Sequence, residues 1–231
     1  MNGPARPECA SHPAAASDAA AAGVRPPVPR LHLITNRALC RERPQAAIIS
    51  EAARAGIGAV QLREKDLGEV GLRREAESLR AVLGDTPLIV NGSLEVARAV
   101  GAAGVHLPEG ASSVAAARAA LGPPGWVGRS VHSMEGAREA AEEGADYLIL
   151  GTIFATASKP GRAPAGLSLV TAVAEAVALP IIAIGGIDEG NVAATLAAGA
   201  WGVAVMSGVL CAPEPGRAVV RLRAVIEGEG R

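Results

Sequence analysis

The sequence predicts an α/β fold, a (β/α)8 TIM barrel behind a disordered N-terminal tail, on three observations. Eight short β-branched or aliphatic runs alternate with Ala-, Arg- and Glu-rich segments of helical spacing, the pattern of a parallel sheet. Eight such units in the 201 residues from 31 to 231 average about 25 each, near the minimum for this barrel. Glycine recurs between a helix end and a strand start, in AGIGAV at 55–60, AAGVH at 102–106, EGADY at 143–147 and AGAWGV at 198–203. A left-handed cap there turns the chain back toward the sheet. A doubly wound open sheet is the alternative, and the lack of a Gly-rich dinucleotide turn after the first strand favours the barrel.

Residues 1–30 form the expected tail: fifteen of the thirty are Ala or Pro, with no Leu, Ile or aromatic ring to bury. Such a segment cannot offset its ordering entropy. Its Ala run carries Asp18 and Ser17 and no Leu-rich core, so a secretory signal is not expected. Residues 31–231 are read as a single barrel domain. The strands are expected at 31–35, 59–63, 87–90, 104–107, 127–130, 147–150, 181–184 and 203–206. Among the helices between them, 72–83, 135–143 and 191–198 have the clearest spacing, and a last one near 217–226 follows strand eight. The stretch from 151 to 162, Gly-Thr-Ile-Phe-Ala-Thr-Ala-Ser-Lys-Pro-Gly-Arg, opens a long helix-free connection. Loops of that length in a compact domain tend to be lids or binding loops.

Composition removes several function classes. Lys and Arg total 22 against 23 for Asp and Glu, without runs of like charge, and aromatics are 2%. Neither the electrostatic footprint nor the stacking surface of a nucleic-acid binder is present. No apolar run reaches the roughly 20 residues of a membrane span. Cys9, Cys40 and Cys211 are odd in number and widely spaced, which suggests neither a disulfide framework nor a zinc ribbon and fits a cytoplasmic protein. Oligomeric state is not legible, although association through the outer helices is open.

In a barrel of this type the active site lies at the carboxyl ends of the strands. Strand two runs into Gln61, Arg63 and Lys65 on one face, with Val60 and Leu62 on the other. The apolar face belongs against helices, so the polar face looks inward. Two inward cations at a strand end suit an anion, against the plainer alternative of a solvated ion-pair loop. Strand seven ends in Gly185-Gly186 and strand eight in Met206-Ser207-Gly208. Loops at these two places are the usual phosphate site of the fold, and glycine lets backbone N–H groups approach the oxygens. Plain tight turns are the alternative. The hydroxyls and Lys159 of the long connection can close over an anion. His32 and His106 lie within strands and are read as neutral core residues. His132 stands just past strand five among hydroxyls and is the candidate acid and base.

VQLREK at 60–65, GVHL at 104–107, GRSVHS at 128–133, ADYLILGTIFAT at 145–156, AIGGI at 183–187 and GVAVMSG at 202–208 resemble the thiamine phosphate synthase superfamily. The synthases of that superfamily carry Asn-Asp after strand three and Gly-Gln-x-Asp after strand four, whose aspartates hold the magnesium of a pyrimidine diphosphate. This sequence reads Asn91-Gly92 and Pro108-Glu109-Gly110, without those carboxylates. Together with the Leu-Pro-x-Gly, Gly-Arg-Ser-Val-His-Ser and Ala-Val-Met-Ser-Gly segments, that departure resembles the TenI-like branch, the thiazole tautomerases. The resemblance implies an isomerase of thiamin biosynthesis that needs no metal or other cofactor and acts on a phosphorylated thiazole carboxylate. His132 would move a proton from ring C2 to the exocyclic carbon. Gly185, Gly186, Met206 and Ser207 would cradle the phosphate, and Arg63 and Lys65 would balance the carboxylate. Gln61, Asn91, Ser130, Thr156 and Lys159 would complete the pocket. The synthase itself and a silent regulatory paralogue that binds a thiamin intermediate are the alternatives.

Overall fold

The computed structural model describes residues 27–156, 161 and 163–228. Eight strands, β1 (Leu31–Ile34), β2 (Ala59–Leu62), β3 (Leu88–Asn91), β4 (Gly104–Leu107), β5 (Trp126–Val131), β6 (Tyr147–Gly151), β7 (Ile181–Ile184) and β8 (Gly202–Val205), pair in parallel and in chain order. The sheet closes where β8 returns to β1, with Ala204 beside His32. The described helices are α1 (Gln45–Arg54), α2 (Glu69–Leu83), α3 (Leu94–Ala99), α4 (Val114–Leu121), α5 (Met134–Glu142), α6 (Gly166–Ala176), α7 (Val192–Ala197), the single turn α8 (Ser207–Leu210) and α9 (Pro215–Gly228). A (β/α)8 TIM barrel is therefore what forms, with the expected strands in place to within one or two residues at their ends. The disordered-tail expectation for residues 1–26 lies outside the described residues. Residues 28–30, which composition assigns to the tail, pack on the barrel floor. Val28 is buried, Trp201 Nε1 donates to its carbonyl at 2.8 Å, and the Arg30 guanidinium donates to the Trp201 and Ile226 carbonyls.

Strand alternation sorts side chains into two apolar bodies. Leu33, Val60, Leu62, Leu88, Val90, Val105, Leu148, Leu150 and Val203 face outward into the larger cluster, where they meet helix residues such as Ile48, Leu79, Val170 and Leu222. Ile34, Ala59, Ile89, Trp126, Tyr147, Ile149, Ile182 and Ala204 fill the barrel interior. Two bulky rings and two imidazoles share that interior because glycine faces them. A Cβ on Gly128 would stand 2.2 Å from Tyr147 Cζ and 2.6 Å from His106 Nδ1.

Serines start the helices at the catalytic end. Ser93, Ser113 and Ser133 cap α3, α4 and α5, each accepting a backbone N–H from the first turn at 3.1–3.2 Å. Ser133, which sequence places beside His132 as a hydroxyl neighbour, is thus engaged in capping.

Candidate active site

At the carboxyl end of the strands a cavity of about 650 Å³ opens, within the usual range for small-molecule sites. Its wall takes residues from every strand end, which is why residues distant in sequence meet there. Of the site residues expected from sequence, Gln61, Arg63, Lys65, Asn91, Ser130, His132, Thr156, Gly185, Gly186, Met206 and Ser207 line it. Lys159 lies outside the described residues. Asn36, Glu109, Thr152 and Gly208 line the cavity as well and were not selected as binders from sequence. The strand-end rule finds Asn36, Glu109 and Thr152, each within two residues of a strand end, and Gly208 follows β8 by three.

The floor is polar and tightly held. Gln61 is buried, its Nε2 donates to Asn91 Oδ1 at 3.1 Å, and its Oε1 is buried without a hydrogen-bond partner. Thr35 Oγ1 accepts the Arg63 backbone N–H at 2.9 Å, which fixes the chain where Arg63 leaves β2. Burial holds the half-buried Arg63 guanidinium below its ordinary pKa, so an anion placed beside it would relieve that desolvation. Lys65, two residues on, is exposed on the same side.

Beneath the floor runs a chain of buried polar rings. The Tyr147 hydroxyl lies 3.3 Å from His106 Nδ1, and His106 Nε2 lies 2.8 Å from Ser130 Oγ. His32 Nε2 donates to the Pro29 carbonyl at 2.9 Å, leaving its Nδ1 buried without a hydrogen-bond partner. Burial lowers His32 to about 4 and His106 to about 3, the latter also through the positive charge of neighbouring His32, Arg63 and Arg129. Both imidazoles are neutral near pH 7, in keeping with their reading as core residues. His106 goes further than that reading by touching Ser130, which lines the cavity.

His132 leaves β5 with its Nδ1 bound to the Gly151 carbonyl at the end of β6. A carbonyl only accepts, so Nδ1 carries the proton and Nε2 is left for the cavity side. That Nε2 lies 3.8 Å from Glu109 Oε2. The loop carrying Glu109 is held by Arg129, which donates to the carbonyls of Pro108, Ala111 and Ser112 at 3.0–3.4 Å.

After β7, Gly185 and Gly186 have φ of 104° and 64°, in the region that favours glycine. A Cβ on Gly186 would stand 2.5 Å from the Ala155 carbonyl oxygen, so the turn is packed under the loop that follows β6. Ser207 and Gly208, for which a plain tight turn is the alternative to a phosphate loop, open α8; the Met206 carbonyl accepts the N–H groups of Val209 and Leu210. The first N–H groups of a helix have no intrahelical acceptor, and Ser207 and Gly208, which begin this one, line the cavity.

A profile of the family described as thiamine monophosphate synthase matches residues 31–209. Thiamine-phosphate synthase of Haloarcula marismortui is 40% identical over 207 residues, 87% of this chain and 98% of that protein. The chain belongs to the thiamine monophosphate synthase family. Thiamine-phosphate synthase of Chloroflexus aurantiacus is 41% identical, covering 85% of this chain and 92% of its own length. Among solved structures, thiamine phosphate pyrophosphorylase of Pyrococcus furiosus superposes with a TM-score of 0.77 at 33% identity, over 87% of this chain and 96% of that one.

These relatives overturn the expectation of an isomerase. The curated members of this family at about 40% identity over most of the chain are named synthases, hence transferases, and the thiazole tautomerase assignment is withdrawn. It rested on four short segments, Asn91-Gly92, Leu-Pro-x-Gly at 107–110, Gly-Arg-Ser-Val-His-Ser at 128–133 and Ala-Val-Met-Ser-Gly at 204–208. A few positions at loop ends weigh less than agreement along the whole barrel.

The donor set does not fit a divalent cation held by a carboxylate pair. Glu109 is the one carboxylate among the described residues that lines the cavity, and no described group of three or more His, Cys, Asp or Glu is placed to hold a metal.

Proposed function

We propose that the chain is a transferase of the thiamine-phosphate synthase type, joining a phosphorylated thiazole to a pyrimidine-methyl diphosphate. The observation that carries this reading is a cavity with two separate sets of anion-binding features. The end of β2 offers the cations Arg63 and Lys65, and the ends of β7 and β8 offer the backbone of Gly185, Gly186, Ser207 and Gly208. Two phosphorylated substrates need two such places, and approximately 40% identity to proteins named thiamine-phosphate synthase supplies the reaction.

In the proposed reaction the bond between the pyrimidine methylene carbon and the diphosphate oxygen breaks, its electron pair leaving with the diphosphate. The thiazole nitrogen then gives its lone pair to that carbon, forming the C–N bond and leaving the ring nitrogen positively charged. Arg63 and Lys65 stabilise the charge that gathers on the departing oxygens, and His132 Nε2, when protonated, donates to them. Ser130, held by neutral His106, presents its hydroxyl on the same side. The glycine wall with Met206 and Ser207 holds the thiazole phosphate through backbone N–H groups. The unpartnered Gln61 Oε1 accepts from an amino group of the pyrimidine, while Asn91 and Thr156 fix its ring. Lys159 belongs to this proposal through its place in the connection after β6.

No described helix is long and apolar enough to cross a membrane. A cytoplasmic site of action, supported by the unpaired Cys40 and Cys211, is part of the same proposal. The reaction is tested by incubating the chain with the two phosphorylated heterocycles and following joined product and released diphosphate by chromatography. Equal amounts of the two products support it, and failure to form either with both substrates saturating removes it.

A further inference from the structure

The carboxylates that stand near the mouth in sequence are taken up by structural contacts. Glu64, next to Arg63, turns away: its Oε1 accepts from Gln45 Nε2 at 2.9 Å and its Oε2 from the Arg37 backbone N–H at 3.1 Å. Asp66 pairs with Arg37 at 2.6 Å. After β7, Asp188 accepts the Gly190 N–H at 2.9 Å and Glu189 pairs with Arg221. Glu109 faces the cavity, half-exposed, with the His132 imidazole 3.8 Å away. The backbone beside it, at Gly110, and that at Gly92 after β3 have φ of 73° and 80°. Residues with a side chain rarely adopt those angles.

We propose that this mouth holds a diphosphate directly on its own cations, without a bridging divalent metal. The inference rests on the transferase reading and departs from the magnesium that the family resemblance implies. Magnesium dehydrates reluctantly and is usually anchored by one or two carboxylates together with substrate phosphates. Here its anchor would be a single half-exposed carboxylate already facing an imidazole, with Arg63 and Lys65 on the cavity wall repelling a second cation. The same cations attract a diphosphate, and the half-buried guanidinium gains most from it, because an anion beside it replaces lost hydration. Glu109 then opposes the diphosphate by like charge, the reverse of what a metal ligand does.

That reversal of sign provides the test. Sodium diphosphate is titrated calorimetrically into the full chain in EDTA, and again with excess magnesium chloride. Saturable binding in EDTA is expected, about tenfold weaker in Lys65→Ala, with Glu109→Gln binding at least as tightly as the parent. Both positions are exposed, so both variants should fold, which circular dichroism checks. Binding that requires magnesium, a tenfold loss in Glu109→Gln, or no loss in Lys65→Ala would overturn the proposal. Turnover with both substrates is measured in parallel. Diphosphate binding in EDTA without turnover in either buffer removes the transferase reading and keeps the metal-free site. Turnover combined with magnesium-dependent binding does the opposite.

Discussion

His106 Nε2 lies 2.8 Å from Ser130 Oγ, so a fully buried imidazole on β4 reaches the hydroxyl that β5 presents to the cavity. On its other side His106 meets the Tyr147 hydroxyl, with the ring centroids 5.6 Å apart. The contact places a titratable group of the barrel interior in direct touch with the candidate site. Burial of that imidazole also makes the stability of the barrel dependent on pH.

Acid should unfold the protein through its buried imidazoles. In the unfolded chain both histidines titrate near their ordinary value of 6.5, whereas folding lowers His32 to about 4 and His106 to about 3. Folded pKa values below the unfolded ones mean that neutral imidazole is favoured in the fold, so this stability is fully present above pH 6.5 and declines as pH falls toward 4. Each group contributes a slope of about 1.4 kcal/mol per pH unit in that window. Denaturant titrations at pH 7, 6 and 5 should show the decline, and His106→Gln should make it shallower by roughly half. An unchanged slope in that variant would show that His106 is protonated in the fold.

Gly128→Ala should cost about 1–3 kcal/mol, because its Cβ has no room beside Tyr147 and His106. In thermal melts the midpoint should drop by several degrees. Gly68→Ala, where a Cβ meets nothing within 4 Å, serves as the control and should change stability by about half a kcal/mol at most. Equal melting of the two variants would contradict the packing of the barrel interior.

The glycine wall is best probed at Gly208. A Cβ there meets nothing within 4 Å, whereas one on Gly186 collides with the Ala155 carbonyl and strains a positive φ, so Gly186→Val would disturb the loop as well as the site. Gly208→Asp should raise KM for the thiazole phosphate about tenfold or more through like charge, with an unchanged melting temperature. An unaltered KM would move the phosphate away from this wall.

His132→Asn keeps a polar side chain but loses the protonated donor toward a departing anion. We expect kcat to fall by roughly 10²-fold with little change in KM, measured with both substrates saturating. A loss confined to KM would make His132 a binding residue only.

What the sequence by itself determined are the properties set by neighbours along the chain. Period-two alternation in residues 59–65 assigns Gln61, Arg63 and Lys65 to one face, and glycine before strands two, four, six and eight marks where helices turn back. Those local signals were enough for the eight strands, the barrel and most of the cavity wall. They do not decide the reaction class: four short segments at strand ends resemble an isomerase branch, whereas similarity along the entire barrel is to synthases. Only the tertiary structure decided which polar groups act on one another. His106 and Tyr147 are 41 residues apart, Glu64 and Gln45 19, and Gln61 and Asn91 30. These distances in sequence carry no period, since partners are chosen by strand register and closure of the barrel. For the same reason Glu64, which looks in sequence like a companion of Arg63 and Lys65, is buried beneath α1, while Glu109 on a distant loop is the carboxylate that faces the cavity.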